Sequence, residues 1–498
     1  MLSRVKGFFL SHPACGKAAI SFLLAFLLVT LCSTSTSFLY PAVNSDSINI
    51  DSNFFLYEGY LLVQGKTPYV DFYDHKGLYH VLVDALAVLM GGRYALFFLQ
   101  VIYLAVTLFF LVSTMELLAL PKGATLFALM VYALLLSFMS GGNSEGEFLM
   151  PFIAASQFFY TRGIVKNDRK SFFIGSFLLG FEMGLALNSR PTDIMWGGAI
   201  AIYCIVYSVR HKRVIDLLYN GLIAVLGLLI PVGIITAYAF SGGFFFEMID
   251  AVYAGGFAYL KEGAVDVQAL ANRVGLAIVL VLLIVSYVFL RKDERLSLDV
   301  YEFPFVALMV AVVAYFVIAR YTTYYWTSIT FVAEYLTYFL FTRGFASRKE
   351  ASRLALVPAS LALLWAVVLT SLYYTSGVMG FSYADSRLIE EAVLAIPAEA
   401  RSQEGEVYAL NCNAAVYLMG DIETSFPYFV NQSWWGASRP EVIAKTAAYL
   451  SGEDRPLYLL AGKEEGTEKD FGAVIDAYYE EAANQIENPA FVLYVALP

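Results

Sequence analysis

Long apolar segments alternate with short polar segments through most of the chain. Several apolar segments exceed the roughly 18 residues that cross a bilayer as a helix, and clusters of Lys and Arg separate many of them. The pattern predicts a polytopic α-helical membrane protein with about 11 transmembrane helices. The predicted spans are, in chain order, 18–40, 94–118, 124–139, 148–165, 172–187, 194–209, 214–240, 274–290, 303–319, 326–341 and 354–374.

The basic clusters predict the orientation, since Lys and Arg accumulate in cytoplasmic loops. With this set of spans every basic cluster, such as 166–170 and 210–213, falls on the side of the N-terminus. Segment 77–91 is short for a span and contains His80 and Asp84. We therefore expect an interfacial or re-entrant helix there, on the outer side. The sequence predicts a multi-pass protein of the cell membrane with a cytoplasmic N-terminus.

Composition supports this class and divides the chain. Of 498 residues, 59% are hydrophobic and 15% charged, and the mean hydropathy is +0.65, whereas soluble domains carry about 25% charged residues. Residues 380–498 hold 7 Lys/Arg against 19 Asp/Glu, so the net charge of −10 belongs there. This acidity argues against nucleic acid and anionic lipid as partners of that segment. The four cysteines show neither metal-ligand spacing nor a disulfide framework.

The polar C-terminal segment alternates short apolar runs with amphipathic helical patterns. These elements are strands at 407–410, 457–460 and 491–496, and helices at 439–450 and 471–487. We expect a transmembrane domain over 1–379, with a first outer loop at 41–93 that carries interfacial helices. A small, acidic, extracytoplasmic α/β domain follows over 380–498.

The first outer loop carries the most informative polar residues. Ser52 and Gly65 predict the N-cap and the C′ position of an amphipathic surface helix. Asp51 would then lie just before that helix, where partial positive charge favours an ionised carboxylate. A second cluster, Asp71, Asp74, His75 and Lys76, returns to the same interface. Carboxylates paired with a cation at headgroup depth indicate a site, while a solvated, tyrosine-anchored loop is the alternative interpretation.

These motifs resemble those of the GT-C glycosyltransferases. An Asp after span 1, an amphipathic helix and the segment 65–77, G-K-T-P-Y-V-D-F-Y-D-H-K-G, resemble the branch of protein O-mannosyltransferases and lipid A aminoarabinose transferases. The resemblance implies a GT-C-like fold and a polyprenyl-phosphate-linked sugar donor on the exoplasmic side. It implies Asp51 as the catalytic aspartate, with Asp46 a less well-placed competitor. It also implies a catalytic role for the acidic loop after span 3, here Glu145 and Glu147.

The chemistry of such a transfer assigns further roles. Asp51 would be the general base for the acceptor hydroxyl, an effect typically worth ~10²–10⁴-fold. Lys76, Arg190 and Arg320 lie at outer ends of predicted spans and would stabilise the developing phosphate charge. The remaining candidates are His75, Tyr324 and Tyr325 for the donor phosphate or lipid, and Asp71 and Asp74 for the substrate.

Each candidate also has a structural explanation. Arg190 would be neutralised by Asp193 or Glu182, and Arg320 would snorkel to the interface. The two tyrosines after Arg320 would belong to an aromatic belt. Two interpretations stay open for Glu145 and Glu147: ligands of a divalent cation beside Asp51, or carboxylates at the N-terminus of span 4. No ligand spacing decides between them, so the metal stays unknown.

The sequence therefore predicts an integral-membrane glycosyltransferase that moves a hexose or pentose from a lipid-phosphate donor to an envelope glycan, lipid or protein. A transporter or lipid flippase with an outer ligand-binding domain is the alternative, with Glu182 and Glu334 along a central pathway. A structural or sensory protein is a third. Convergence of Asp51 with the outer cations at one site would favour glycosyl transfer.

Overall fold

The computed structural model describes most of the first half of the chain and most of its C-terminal part. The described residues are 13–33, 35–39, 47–118, 122–137, 142–256, 383–430, 439–463, 465–483 and 488–498, with single residues at 281, 306 and 310. Most of the predicted spans 8 to 11 lie outside the described residues. So do Asp46, Arg320, Tyr324, Tyr325 and Glu334.

The N-terminal described part is helical. Its helices are α1 Pro13–Cys32, α2 Ser47–Val63, α3 Leu78–Met90, α4 Arg93–Leu117, α5 Lys122–Ser137, α6 Met150–Lys166, α7 Arg169–Leu187, α8 Ile194–Arg210, α9 Val214–Ser241 and α10 Phe245–Ile249. A 3₁₀ turn, Pro191–Asp193, precedes α8, and a π-helical turn, Asp250–Gly255, follows α10. Among the described residues, five helices are long and apolar enough to cross a membrane. The predicted class, a polytopic helical membrane protein, is confirmed.

The first helix ends earlier than the predicted span 18–40, which was wrong at its C-terminal end. Beyond Cys32, hydroxyl and guanidinium groups bind the backbone. The Ser37 hydroxyl donates to the Thr30 carbonyl at 2.7 Å, and Arg93 donates to the carbonyl oxygens of Ser35 and Ser37 at 2.9 and 2.6 Å. Such local bonds compete with the helical ladder, so the backbone leaves the helix there.

Helix α2 begins at Ser47 rather than at the predicted N-cap Ser52. Asp51 therefore lies inside the helix, beyond the first turn in which the helix dipole acts most strongly. The predicted end is confirmed. Gly65 has φ +90°, and the amide groups of residues 65 and 66 donate to carbonyl oxygens of the preceding turn, as in a Schellman cap.

Helix α3 is a short apolar helix of 13 residues that packs along α2. The contact is close at Gly59, where a Cβ would lie 2.6 Å from the backbone nitrogen of Ala85. A glycine is needed at such a distance because any side chain would meet backbone. The short length agrees with an interfacial helix instead of a span.

The connections between helices differ in charge at the two ends of the helical part. At one end, basic side chains form ion pairs with acids of neighbouring helices and turns. These pairs are Lys17–Glu116, Arg162–Asp168 and Arg169–Asp216. The connections 142–149 and 188–193, which join α5 to α6 and α7 to α8, lie at the opposite end, as the alternation of helix directions requires.

The C-terminal described part is an α/β structure. Its elements are α11 Tyr383–Ala395, α12 Ala398–Arg401, β1 Val407–Leu410, α13 Ala415–Gly420, α14 Pro440–Ser451, β2 Tyr458–Gly462, α15 Glu465–Tyr478, β3 Tyr479–Glu481 and β4 Phe491–Ala496. The strand order is β1-β2-β4-β3, with β1 and β2 parallel and the other pairs antiparallel. The three predicted strands are present.

The predicted helix 471–487 was wrong at its C-terminal end. Helix α15 ends at Tyr478, and the next residues form β3, in which Tyr479 pairs with Ala496 of β4. The local pattern there is helical, but pairing with an apolar neighbour strand satisfies the backbone and buries Tyr479, which is 4% exposed. Strand preference depends on such neighbours more than on the residues themselves.

The α/β structure packs directly on α2. The Tyr57 hydroxyl donates to the Ile422 carbonyl oxygen at 2.9 Å and accepts the Thr424 amide hydrogen. The Phe54 ring stacks on Phe429 with 4.8 Å between centroids. One continuous set of buried apolar side chains thus includes residues from α2, α3 and the strand region. The core crosses the predicted domain boundary at 379/380.

Candidate active site

Three segments meet beside α2 at the end of the helices opposite the basic pairs. They are the loop 64–77, the connection 142–149 and the turn 188–193. The loop and the turn touch through their backbones. The amide of Gly77 donates to the Ser189 carbonyl oxygen at 2.5 Å, and the amide of Tyr79 donates to the Asn188 carbonyl oxygen at 2.6 Å.

An ion-pair chain links the three segments. The Lys76 Nζ atom lies 3.1 Å from Glu145 Oε1, and a guanidinium nitrogen of Arg190 lies 3.9 Å from Glu145 Oε2. Arg190 also pairs with Asp193 at 2.9 and 3.2 Å. We call Asp51, Glu58, Asp74, Lys76, Glu145, Arg190 and Asp193 the charged cluster. A single carboxylate therefore bridges two cations that come from different loops.

Lys76 is held in its charged form. Its Nζ atom lies 4.2 Å from the centroid of the Phe55 ring, a cation–π distance. Burial would lower the pKa of Lys76, but the charges of Glu145, Asp51 and Asp74 outweigh burial and raise the pKa above its usual value. A lysine with these partners is a fixed positive charge at ordinary pH.

Glu145 is held in its charged form as well. Its side chain is 3% exposed. Burial alone would raise the pKa of the Glu145 carboxyl, but the positive charges of Lys76 and Arg190 outweigh burial and hold the pKa below its usual value. The cluster thus contains a stable, buried carboxylate between two cations. Arg190 also contacts Asp193, which the sequence suggested as its structural partner. Arg190 therefore binds both Glu145 and Asp193.

Asp51 is half-buried on α2, within electrostatic range of Lys76 and Glu145. Among the described residues none donates a hydrogen bond to its carboxylate. Burial raises the pKa of Asp51, the positive charge of Lys76 lowers it, and the net shift is upward. A carboxylate with a raised pKa is a better proton acceptor than an ordinary aspartate at neutral pH.

Sequence reasoning missed Glu58. This residue lies two turns after Asp51 on α2, is fully buried, and accepts no hydrogen bond from the described residues. Burial and the negative charge of Asp74 raise the pKa of Glu58 well above its usual value. Its seven-residue spacing from Asp51, which puts both on one helical face, was the available signal. The charged cluster therefore contains a second acid that is easily protonated.

The candidate residues of segment 71–76 lie in two different environments, one buried and one exposed. Asp74 is 4% exposed and accepts from the His75 amide at 2.6 Å, while His75 Nδ1 lies 3.0 Å from the same carboxylate. Burial would raise the pKa of Asp74, but His75 and Lys76 hold it below its usual value. Asp71, in contrast, is exposed and accepts from the Thr67 amide at 2.7 Å, which caps the turn.

The structure separates the two glutamates after α5. Glu147 accepts from Gln100 Nε2 at 3.0 Å and from the Ser144 amide at 3.2 Å, away from the two cations that Glu145 bridges. Asn143 anchors the start of this connection, since its amide donates to Asp84 at 3.0 Å and to the Ser52 carbonyl oxygen at 3.3 Å. Within the described part of the chain, no group of three His, Cys, Asp or Glu side chains could hold a metal ion.

A family model described as "Putative competence-induced protein Ccs4 N-terminal domain" matches residues 14–353, more than half of the 498-residue chain. The chain belongs to this family. The match covers the charged cluster and the helices that carry it, so the cluster lies within the Ccs4 N-terminal domain. A sequence comparison with curated proteins gives no match.

Two solved structures resemble the chain over nearly its whole length. ArnT from Cupriavidus metallidurans bound to undecaprenyl phosphate aligns with a TM-score of 0.50 at 12% identity, and covers 97% of this chain and 98% of its own. ArnT from the same organism in the apo state aligns with a TM-score of 0.44 at 12% identity, over 99% and 100% of the two chains. The first alignment shows that this Ccs4 N-terminal domain protein has a GT-C-like membrane fold.

Proposed function

We propose that the chain is an integral-membrane glycosyltransferase that moves a sugar from a polyprenyl-phosphate donor to a hydroxyl of a cell-envelope acceptor. The observation that carries the proposal is the bridge from Lys76 through Glu145 to Arg190, within electrostatic range of Asp51. Such a transfer requires stabilisation of the phosphate and removal of a proton. The groups proposed for these two tasks would then lie close together. The likeness to ArnT, whose structure is bound to undecaprenyl phosphate, supports a polyprenyl phosphate as donor carrier.

The two cations suit a lipid phosphate. A carboxylate offers two oxygens to Lys76 and Arg190, and a phosphate diester offers two oxygens as well. Lysine has three N–H donors and arginine five, so both cations are of the kind that binds a phosphate through several hydrogen bonds. In a site with little water such fixed cations stabilise the charge that develops on the phosphate without reorganisation.

Asp51 would take the proton. In the proposed step the acceptor oxygen forms a bond to the anomeric carbon of the sugar, while the bond from that carbon to the phosphate oxygen breaks. The acceptor proton passes to the Asp51 carboxylate, and the polyprenyl phosphate leaves as a monoester dianion that Lys76 and Arg190 stabilise. One displacement of this kind inverts the anomeric centre.

The charge of the helix ends supports an outer-face site. The basic pairs, such as Arg169–Asp216, lie opposite the connections that carry Glu145 and Arg190. Under the positive-inside rule the basic end is cytoplasmic. The charged cluster and the α/β structure that packs on α2 would then face the exterior.

A matched pair of variants tests the assignment. Asp51→Asn is compared with Asp216→Asn, which changes the same functional group at the opposite end of the helices. Membranes receive radiolabelled polyprenyl-phosphate sugars, and transfer of label into envelope fractions is followed. We expect Asp51→Asn to lose about 10²-fold or more of the transfer rate, with Asp216→Asn near wild type. Unchanged transfer in a properly inserted Asp51→Asn protein would remove Asp51 as the base.

One residue favours the alternative of a transporter. Glu182 on α7 is fully buried and lies within electrostatic range of Asp193. Buried acids in a span often belong to ion pathways. Glu182→Gln should leave glycosyl transfer nearly unchanged if the enzyme proposal is right. A proton-coupled flux that depends on Glu182, measured in liposomes, would instead support transport.

A further inference from the structure

A cleft of about 500 Å³ lies between the loop 64–77 and the α/β structure. Five aromatic side chains line it, with a lysine at its rim. They are Tyr69, Tyr73, Phe426, Tyr428 and Tyr449, and the lysine is Lys445. We call this space the aromatic cleft. Its volume falls within the range of roughly 300–1,000 Å³ that is typical of small-molecule sites.

The aromatic rings are held in place by one another. Phe426 and Tyr449 stack with 4.3 Å between centroids and 3° between planes, and Tyr73 packs on Tyr428 at 5.2 Å. The Tyr449 hydroxyl is 3.3 Å from the Ser425 hydroxyl. Fixed aromatic faces carry negative potential and attract the polarised C–H groups of a sugar ring. Little side-chain entropy would be lost on binding because the rings are already ordered.

The backbone at the floor of the cleft is strained. Tyr69 has φ +65°, a left-handed conformation that is rare for a bulky side chain. Its hydroxyl donates to the Lys76 carbonyl oxygen at 2.9 Å, which helps to hold it there. Strain of this kind collects at ligand sites more than elsewhere.

Lys445 gives the cleft its charge preference. The side chain is exposed, with its Nζ atom 5.6 Å from the centroid of the Tyr428 ring and 3.4 Å from the Tyr428 hydroxyl. Within the described residues Lys445 forms no ion pair, whereas the nearby Arg439 pairs with Asp250 at 3.3 Å. The segment as a whole is acidic, but at this cleft a cation beside aromatic faces, without an ion-pair partner among the described residues, complements an anionic group of a ligand.

The cleft is joined to the charged cluster by the loop 64–77. Tyr73 precedes Asp74, and the Tyr73 amide donates to the Pro427 carbonyl oxygen at 3.0 Å. Tyr69 contacts Lys76 as described. A ligand in the aromatic cleft would therefore contact the same loop that carries Lys76.

We propose that the aromatic cleft binds an anionic glycan, with sugar rings against the tyrosines and an acidic group at Lys445. This inference rests on the proposed function, for which the glycan is the acceptor or an extension of it. Among the lining residues that the structure describes, Lys445 is the one that carries a charge, so it is the group expected to favour an anionic sugar over a neutral one.

The test uses two tetrasaccharides of equal length on the full chain in nanodiscs. Hyaluronan tetrasaccharide carries two carboxylates, and fully N-acetylated chitotetraose is neutral. Saturation-transfer NMR and titration calorimetry give the affinities. We expect the anionic sugar to bind about tenfold tighter, as one charge-assisted hydrogen bond implies. Equal affinities, or no binding of the anionic sugar, would overturn the proposal.

Variants assign the contacts. Lys445→Gln should remove the preference and leave chitotetraose binding unchanged, while Lys469→Gln, an exposed lysine on α15 outside the cleft, should keep the preference. Tyr449→Leu should weaken both sugars. Wild-type preference in Lys445→Gln contradicts the assignment, and this exposed position is not expected to affect folding.

The failure of the inference and that of the proposed function can be distinguished. Asp51→Asn should bind the sugars like wild type, because Asp51 lies outside the cleft. If the sugars bind but Asp51→Asn leaves transfer unaffected, the proposed function is refuted and the proposed glycan site in the aromatic cleft is retained. If transfer depends on Asp51 but neither sugar binds, the proposed glycan site is refuted and the proposed function is retained.

Discussion

The amide of Gly77 donates to the carbonyl oxygen of Ser189 at 2.5 Å, where the loop that carries Lys76 meets the turn that carries Arg190. A Cβ at position 77 would lie 2.2 Å from the carbonyl carbon of Asn188. Since the obstacle is backbone, no side-chain rotation relieves it. The approach of the two cations to Glu145 therefore depends on the absence of one methyl group.

Gly77→Ala should separate these segments. We expect a loss of about 1–3 kcal/mol in stability, typical of overpacking, and at least a tenfold loss of transfer because Lys76 and Arg190 no longer share Glu145. Apparent Tm in detergent and the radiolabel assay measure the two effects. Gly198→Ala is the control, since nothing lies within 4 Å of its Cβ, and alanine there should be neutral or stabilising by about 0.5–1 kcal/mol. Equal behaviour of the two variants would contradict the steric argument.

Glu145→Gln should be far more damaging than Glu147→Gln. The first change leaves Lys76 without its closest acid in a buried site, which costs about 3–5 kcal/mol when one partner of such a pair is removed. The second keeps an acceptor for Gln100 and touches neither cation. Thermal unfolding of both variants in detergent compares them. The prediction fails if Glu147→Gln is the less stable protein.

Acid should weaken the protein partly through Glu145. The folded pKa of Glu145 is depressed, so its contribution to stability is present above the unfolded pKa of about 4.3 and is lost as pH falls toward the folded value. We expect Tm to decline on acidification below about pH 5, and to decline less in Glu145→Gln. A parallel decline in both proteins would assign the acid sensitivity to other carboxyls.

The pH dependence of the transfer rate should reflect the ionisation of Asp51. Its pKa is raised, and only the ionised form accepts a proton, so kcat/KM should fall with decreasing pH around a midpoint above the ordinary aspartate value. Lys76→Gln removes the charge that lowers this pKa, so the midpoint should move to higher pH. If the midpoint does not move in Lys76→Gln, the observed titration belongs to a group other than Asp51.

Tyr57→Phe should loosen the contact between α2 and the α/β structure. The hydroxyl bonds both Ile422 and Thr424, and the loss of two buried partners costs about 1–3 kcal/mol. Tyr60→Phe removes surface contacts, to Asp421 at 3.0 Å and to Gln64, and is expected to have little effect. Protease sensitivity of the α/β structure in membranes compares the two variants; equal sensitivity would contradict the argument.

The sequence predicted what local pattern determines. Helix α9 and its neighbours follow from continuous apolar runs, and strands β1 and β4 follow from short apolar segments between turns. The C-terminal end of α1 was missed because its Ser and Thr residues are apolar enough to extend a span, and only their bonds to Thr30 and Arg93 reveal the break. Strand β3 was missed because its local pattern is helical, and only its pairing with β4 makes it a strand.

The candidate site was predictable only in part. Lys76 and Arg190 were proposed from their residue type at the outer ends of predicted spans, whereas Asp51 and Glu145 were proposed from their loop positions and from the resemblance to the GT-C glycosyltransferases. The Lys76–Glu145–Arg190 bridge and the separation of Glu147 from it depend on how three distant loops meet, which periodicity does not encode. Glu58 was missed because a single acid on an apolar helix is usually exposed to solvent.

The packing of α2 against residues 407–430 has a consequence for biosynthesis. Domains generally fold in the order in which the ribosome makes them, and α2 is synthesised well before the strands and helices that cover Phe54 and Tyr57. Its aromatic face must stay uncovered while the rest of the membrane part is inserted. This face is therefore covered only after residues 407–430 have emerged, and a chain terminated before them would expose it to quality-control proteases.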